Sequence, residues 1–173
     1  MLTGIQAATC AFVAFLDADD RWAPEFLTTV MAAFAGAGEG CGLVATRAQA
    51  FGPDGALQPR PCRDRAVRGT LRSRDIILRT RFSPSAVVTR RRVFEDCGFF
   101  DETLTSSEDR DMWIRIGSRF EMVLLPEALA FIRNHPSSMS KNADRMKLNT
   151  RRVIRKARSQ RVVSPWAMGF WLK

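Results

Sequence analysis

Seven consecutive apolar residues, Cys10-Ala-Phe-Val-Ala-Phe-Leu16, stop abruptly at three carboxylates, Asp17, Asp19 and Asp20. The length of the run and its two phenylalanines fit a strand buried on both faces, and such strands belong to parallel sheets covered by helices. That segment alone selects an α/β architecture. It also places the carboxylates just past the C-terminal end of a buried strand, where open α/β sheets bind ligands. Carboxylates this close repel one another, and a divalent cation such as Mg²⁺ or Mn²⁺ relieves the repulsion and would bridge phosphates. The alternative is a solvated acidic turn whose Asp residues cap the next helix and complement its dipole.

Pro24 stands where a first helical residue belongs, and Phe26, Leu27, Val30, Met31 and Phe34 recur at helical spacing until Gly36 and Gly38 end the pattern. Gly42 to Phe51 reads as a second strand, Gly52-Pro-Asp-Gly55 as a turn, and the stretch to about Gly69 as a Pro- and Arg-rich loop. A short helix from Ser73 to Leu78, a strand from Ser85 to Thr89 and a helix from Arg91 to Cys97, closed by Gly98, follow. Met112, Trp113, Ile116 and Phe120 form an apolar stripe that makes residues 108–119 an amphipathic helix. Two short strands, Met122 to Leu125 and Ala128 to Ile132, lead to His135, and Ser140 to Arg161 is a basic helix candidate. Strands alternating with helices predict a mostly parallel sheet flanked by helices.

At 173 residues the chain supports one well-buried core and is too short for two ordinary domains. Apolar residues at 46% and charged residues at 26% exclude a disordered, collagen-like or disulfide-scaffold chain. The net charge of +9 suggests a nucleic-acid binder until its distribution is read. Residues 1–140 hold 17 bases and 17 acids, whereas residues 141–173 hold 10 bases and the single acid Asp144. No reading motif accompanies that charge, so no specific nucleic-acid partner is expected. Cys10, Cys41, Cys62 and Cys97 are too dispersed for a zinc site and read as reduced thiols. No apolar run approaches the roughly 18 residues that span a bilayer. The apolar start lacks the positive flank of a signal peptide, and the expected location is the cytoplasm.

Glu108 and Asp109 open the amphipathic helix, and Asp109 precedes Met112 and Trp113 by three and four residues, so it shares their inward face. A helix N-terminus favours an ionised carboxylate electrostatically, which suits a capping role as well as a chemical one. Ser106-x-x-Asp109 equally fits a capping box. His135, the single histidine, stands between an apolar strand and Pro136 and is either a metal ligand or an ordinary turn residue.

Four motifs come in a recognisable order. Ala14-Phe-Leu-Asp-Ala-Asp-Asp-Arg-Trp-Ala-Pro-Glu25 resembles the strand, DxD and helix start of the inverting family 2 glycosyltransferases. Val87 to Glu102, with Gly98-Phe-Phe-Asp-Glu, resembles the segment before that family's catalytic helix, Glu108-Asp-Arg-Asp-Met-Trp-Ile-Arg115 its ED motif, and Arg133-Asn-His-Pro-Ser-Ser-Met-Ser140 its later His and Ser region. The resemblance runs from Gly4 to about residue 140 and implies a GT-A, Rossmann-like fold that binds a nucleotide-diphosphate sugar. It implies Asp19 as the direct ligand of Mg²⁺ or Mn²⁺, Asp17 near the ribose or metal, His135 as a further ligand, and Asp109, with Glu108 beside it, as the general base. The acceptor would be a carbohydrate or a lipid-linked, cell-surface molecule.

The family's nucleotide-binding half precedes the stretch matching Gly4 to Phe12 and has no counterpart in this sequence. The expectation is therefore a partial GT-A domain over residues 1–140, N-terminally truncated, with 141–173 as a basic amphipathic helical tail. A non-catalytic remnant or interaction module is the alternative. An aspartyl-phosphate phosphatase also uses an apolar strand ending in DxD, but it wants Thr or Val where this chain has Arg21. In the tail, Met146, Val153, Ile154 and Ala157 lie near one side of a helix, and Lys147, Arg151, Arg152, Arg155, Lys156 and Arg158 fill much of the rest. With Trp166, Phe170 and Trp171 beyond, this is either a helix lying on an anionic cytoplasmic leaflet or a solvated helix packed on the domain.

Overall fold

The computed structural model describes residues 2–58, 69–80, 82–135, 141–160 and 162. In chain order the elements are α1 (Leu2–Ala7), β1 (Phe12–Ala14), β2 (Arg21–Trp22), α2 (Phe26–Ala37), β3 (Cys41–Phe51), β4 (Gly69–Leu71), α3 (Ser73–Leu78), β5 (Val87–Arg90), α4 (Arg92–Cys97), α5 (Glu108–Arg119), β6 (Glu121–Arg133) and α6 (Ala143–Ser159). The strands form one sheet in the order β1-β5-β3-β6-β2, with β4 also pairing β6. β4 faces Met122 to Leu124 and β2 faces Ala130 and Phe131 of that strand.

The sheet is mixed, not mostly parallel. Only β3 and β6 run parallel, while β1–β5, β3–β5, β2–β6 and β4–β6 are antiparallel. The apolar run reports burial, and an antiparallel strand inside a covered sheet satisfies that signal as well: Val87, Val88 and Thr89 of β5 are all buried although both neighbours oppose it. β1 itself is short, with Val13 buried, Phe12 half-buried and Ala14 exposed, so its run is not covered on both faces. The two expected strands after Phe120 are one strand, β6. Pro126 lies in the stretch where the β3–β6 register shifts, between the pairs Ala45–Leu124 and Arg47–Ala128, so the missing N–H makes a bulge instead of an end.

Phe26, Val30 and Phe34 seat α2 on the sheet, each at most 2% exposed, and Gly38 stops that helix at φ 74°. Trp113 of α5 anchors the core beneath the site through Phe15, Phe82 and Phe100. α5 approaches α3 closely at Gly117, where a Cβ would stand 2.8 Å from the backbone nitrogen of Ser73. Val153, Ala157 and Asn149 pack α6 against α5 and the loop before it, and the Asn149 side-chain amide donates to Thr105 Oγ1 and Ser106 Oγ. Asn142 caps α6 by accepting from the Arg145 N–H. Cys10, Cys41 and Cys97 are free thiols; Cys62 lies outside the described residues. Among the described residues no helix is long and apolar enough to cross a membrane.

Candidate functional site

The acidic turn after β1 is held by Ser85, which is fully buried. The Ser85 hydroxyl accepts the Asp17 N–H at 3.1 Å and donates to Asp20 Oδ2 at 2.6 Å, while the Ser85 carbonyl accepts the Trp22 indole N–H at 2.6 Å. Asp20 Oδ1 accepts the backbone N–H of Arg133 at 2.9 Å. Asp20 therefore ties the turn to the end of β6, and the Asp17 and Asp19 carboxylates are left for other partners. Sequence reasoning grouped the three aspartates and missed this division, because the serine and the β6 backbone that create it lie 65 and 113 residues away.

His135 arrives from the same end of β6, with Nε2 3.5 Å from Asp19 Oδ2. The Asp17 carboxyl is pushed above its ordinary value, first by lost hydration and then by the charges of Asp20, Asp19 and Glu108. The acidic turn after β1 and the end of β6 thus come together, with Asp19 and His135 in contact.

The capping box expected at Ser106-x-x-Asp109 does not form. Ser107 is the residue before the helix, in the left-handed region at φ 62°, and no side chain caps the helix; Ser106 instead accepts from Asn149. Asp109 Oδ1 accepts the N–H of Arg110 at 2.7 Å, and burial raises its carboxyl to about 6 against the lowering effect of that bond, with Glu108 raising it further. A non-glycine residue in the left-handed region costs stability and commonly marks a functional turn. The Arg110 guanidinium, beside Asp109, donates to the carbonyl of Ile77. Burial lowers the pKa of that guanidinium.

A second acidic group supports α5 from behind. Asp111, 3% exposed, is paired with Arg115 at 2.9 Å and with Lys156 of α6 at 3.0 Å, and Lys156 also reaches Asp101 at 2.6 Å. Arg115 further donates to the carbonyls of Cys97, Gly98 and Phe99. Lys156, counted by periodicity among the solvated bases, faces inward.

Among the described residues no three His, Cys, Asp or Glu side chains form a complete cation cage. The Asp19–His135 pair offers two donors. That number suits a cation of the Mg²⁺ class, which keeps several waters and takes further oxygens from a substrate phosphate. Beside the turn, α1, β1 and the residues that follow it line an open groove of about 710 Å³, with Ile5, Phe12, Phe15 and Asp17 among its walls. This volume is in the ~300–1,000 Å³ range of small-molecule sites.

The sequence model described as Glycosyl transferase family 2 matches residues 1–98. No curated protein matches the sequence. Solved structures of S. aureus TarS do match. TarS 1–349 aligns with a TM-score of 0.56 and 21% identity over 76% of this chain and 38% of that one. A longer TarS structure gives 0.58 and 20% over 84% and 25%. TarS 1–349 in complex with UDP gives 0.57 and 20% over 99% and 53%. The chain thus spans between a quarter and about half the length of these structures, and at such identities the likeness is one of fold.

Proposed function

This chain belongs to glycosyl transferase family 2 and has a GT-A-like α/β fold, and from that premise we propose that it transfers a sugar from a nucleotide-diphosphate sugar to an acceptor hydroxyl, inverting the anomeric centre. What supports the proposal is the family match over residues 1–98 together with the acidic turn after β1, where His135 from the end of β6 comes to 3.5 Å from Asp19.

Asp109 acts as the general base. With its carboxyl at about 6 it is ionised at neutral pH yet close enough to working pH to be an effective proton acceptor. It takes the proton of the acceptor hydroxyl as that oxygen attacks the anomeric carbon; the bond to the diphosphate breaks on the opposite side and the nucleoside diphosphate leaves with the bonding pair. Glu108 keeps the local field negative and raises the basicity of Asp109. Asp17, one of the residues lining the groove, would meet the donor's ribose. Asp19 and His135 would hold Mg²⁺ or Mn²⁺, which when bound neutralises the charge developing on the diphosphate.

The acceptor side of the proposal is a carbohydrate or lipid-linked molecule at an anionic membrane surface, read through α6. Lys147, Leu148, Arg151, Arg155 and Arg158 are all exposed on that helix while its other face is held on α5. Bases near anionic lipid contribute about 1 kcal/mol each. Co-sedimentation with vesicles containing phosphatidylglycerol, abolished in the Arg151→Glu/Arg155→Glu variant, is expected; equal binding to neutral vesicles would remove this part.

The catalytic reading is tested by Mn²⁺-dependent hydrolysis of UDP-sugars, followed as UDP release. Asp109→Asn should reduce turnover by about 100-fold or more with UDP affinity retained. Unchanged turnover would remove Asp109 as the base, and a folded chain that binds no nucleoside diphosphate would be a non-catalytic interaction module.

A further inference from the structure

Arg21 and Arg133 converge on one aromatic ring beside the acidic turn. Their guanidinium carbons lie 4.4 Å and 4.7 Å from the centre of Phe51, and Arg21 is also 5.6 Å from the centre of Phe131. The sheet register sets this up: Phe51 of β3 is opposite Arg133 of β6, Phe131 is opposite Arg21 of β2, and residues two apart on a strand share a face. Phe51 is 2% exposed, so its ring is a fixed platform.

Two cations against one ring are closer together than the roughly 10 Å screening length of 0.1 M salt, and they repel. Among the described residues neither forms an ion pair with a carboxylate. Arg133 spends one donor, Nε, on the Asp19 carbonyl at 3.3 Å, which fixes it to the turn, and the Arg21 guanidinium donates to no described residue. The contacts with Phe51 fix the position of each guanidinium, a group whose planar fork of N–H donors recognises planar or tetrahedral oxyanions bidentately.

We infer that Arg21 and Arg133, held on Phe51, form a binding clamp for a phosphate-type oxyanion next to Asp19 and His135. Two sources carry that chemistry: the diphosphate of a nucleotide donor, and a phosphate borne by the acceptor. The clamp stands on these contacts and not on the catalytic reading, so it is measurable without turnover.

The test uses the full chain in EDTA, titrated with inorganic pyrophosphate and with glycerol 3-phosphate and followed by the arginine side-chain N–H signals in NMR. Arg21→Met and Arg133→Met keep an apolar stem over Phe51 and should each weaken binding by about tenfold or more, whereas Arg74→Met, which removes an equal charge from exposed α3, should change it less than about twofold. Arg133→Lys, which keeps the charge and the fold, should recover only part of the loss. A parallel titration with UDP and Mn²⁺ separates the sources: weakening there assigns the clamp to the donor, and loss confined to glycerol 3-phosphate assigns it to an anionic acceptor. The inference is overturned if the wild type binds neither phosphate probe in EDTA, if Arg21→Met and Arg133→Met bind like the wild type, or if Arg133→Lys restores binding in full.

Discussion

Asp109→Asn should make this protein more stable at neutral pH. Burial holds the Asp109 carboxyl at about 6 in place of its ordinary 3.8. A carboxyl raised in the folded state binds its proton more tightly there than in the unfolded chain, so stability is lost as pH rises from about 4 through about 6. Some two pKa units at about 1.4 kcal/mol each give a cost near 2–3 kcal/mol once Asp109 is ionised. Asn removes that cost and keeps an acceptor for the Arg110 N–H, which lies 2.7 Å from Oδ1. For a domain of this size the gain corresponds to about 5–10 °C in Tm. Thermal unfolding followed by circular dichroism at pH 7.5 and pH 4 measures it, with a large difference expected at the first pH and almost none at the second. A helix-capping Asp would behave oppositely, since its ionised form is the stabilising one. An Asp109→Asn protein that melts at or below the wild-type temperature at pH 7.5 would therefore refute the buried-base argument.

Lys156→Met should lower stability by about 1–2 kcal/mol at pH 7, because the ammonium holds the Asp101 carboxyl down at about 2 and balances buried Asp111. A lowered carboxyl stabilises above its ordinary value and loses that contribution as pH falls through about 2, so the deficit should shrink below pH 4; urea titrations at pH 7 and pH 3 showing equal deficits would contradict this. Ser85→Ala removes a hydroxyl that serves both Asp17 N–H and Asp20, and a loss of about 1–2 kcal/mol in urea unfolding is expected. An unchanged midpoint would mean that the turn is held by Asp20 and Arg133 alone.

Much of the architecture is written in local pattern. The periodicity of Phe26, Val30 and Phe34 yields α2, and Met112, Trp113 and Ile116 yield α5, because an apolar stripe must find a core. Strand direction is not local: β5 opposes its neighbours, and nothing in Val87-Val-Thr-Arg90 encodes that. The two strands expected at Met122 to Leu125 and Ala128 to Ile132 are one, because Pro126 falls where the register shifts, and a missing donor looks the same from sequence whether it ends a strand or bulges it. At the site, Asp17, Asp19, Glu108, Asp109 and His135 stood out as chemistry-bearing side chains in motif order. Ser85, the role of Asp20, the Arg21–Phe51–Arg133 cluster and the inward turn of Lys156 depend on contacts across the sheet or between helices, and no spacing announces them.

The proposed function requires the turn after β1 to be a cation-assisted site for a nucleoside diphosphate. Isothermal titration of the chain with UDP, in Mn²⁺ and in EDTA, tests it most directly. Mn²⁺-dependent binding that disappears in Asp19→Ala is the predicted result. Absence of binding by the folded protein, or binding indifferent to both EDTA and Asp19→Ala, would contradict it.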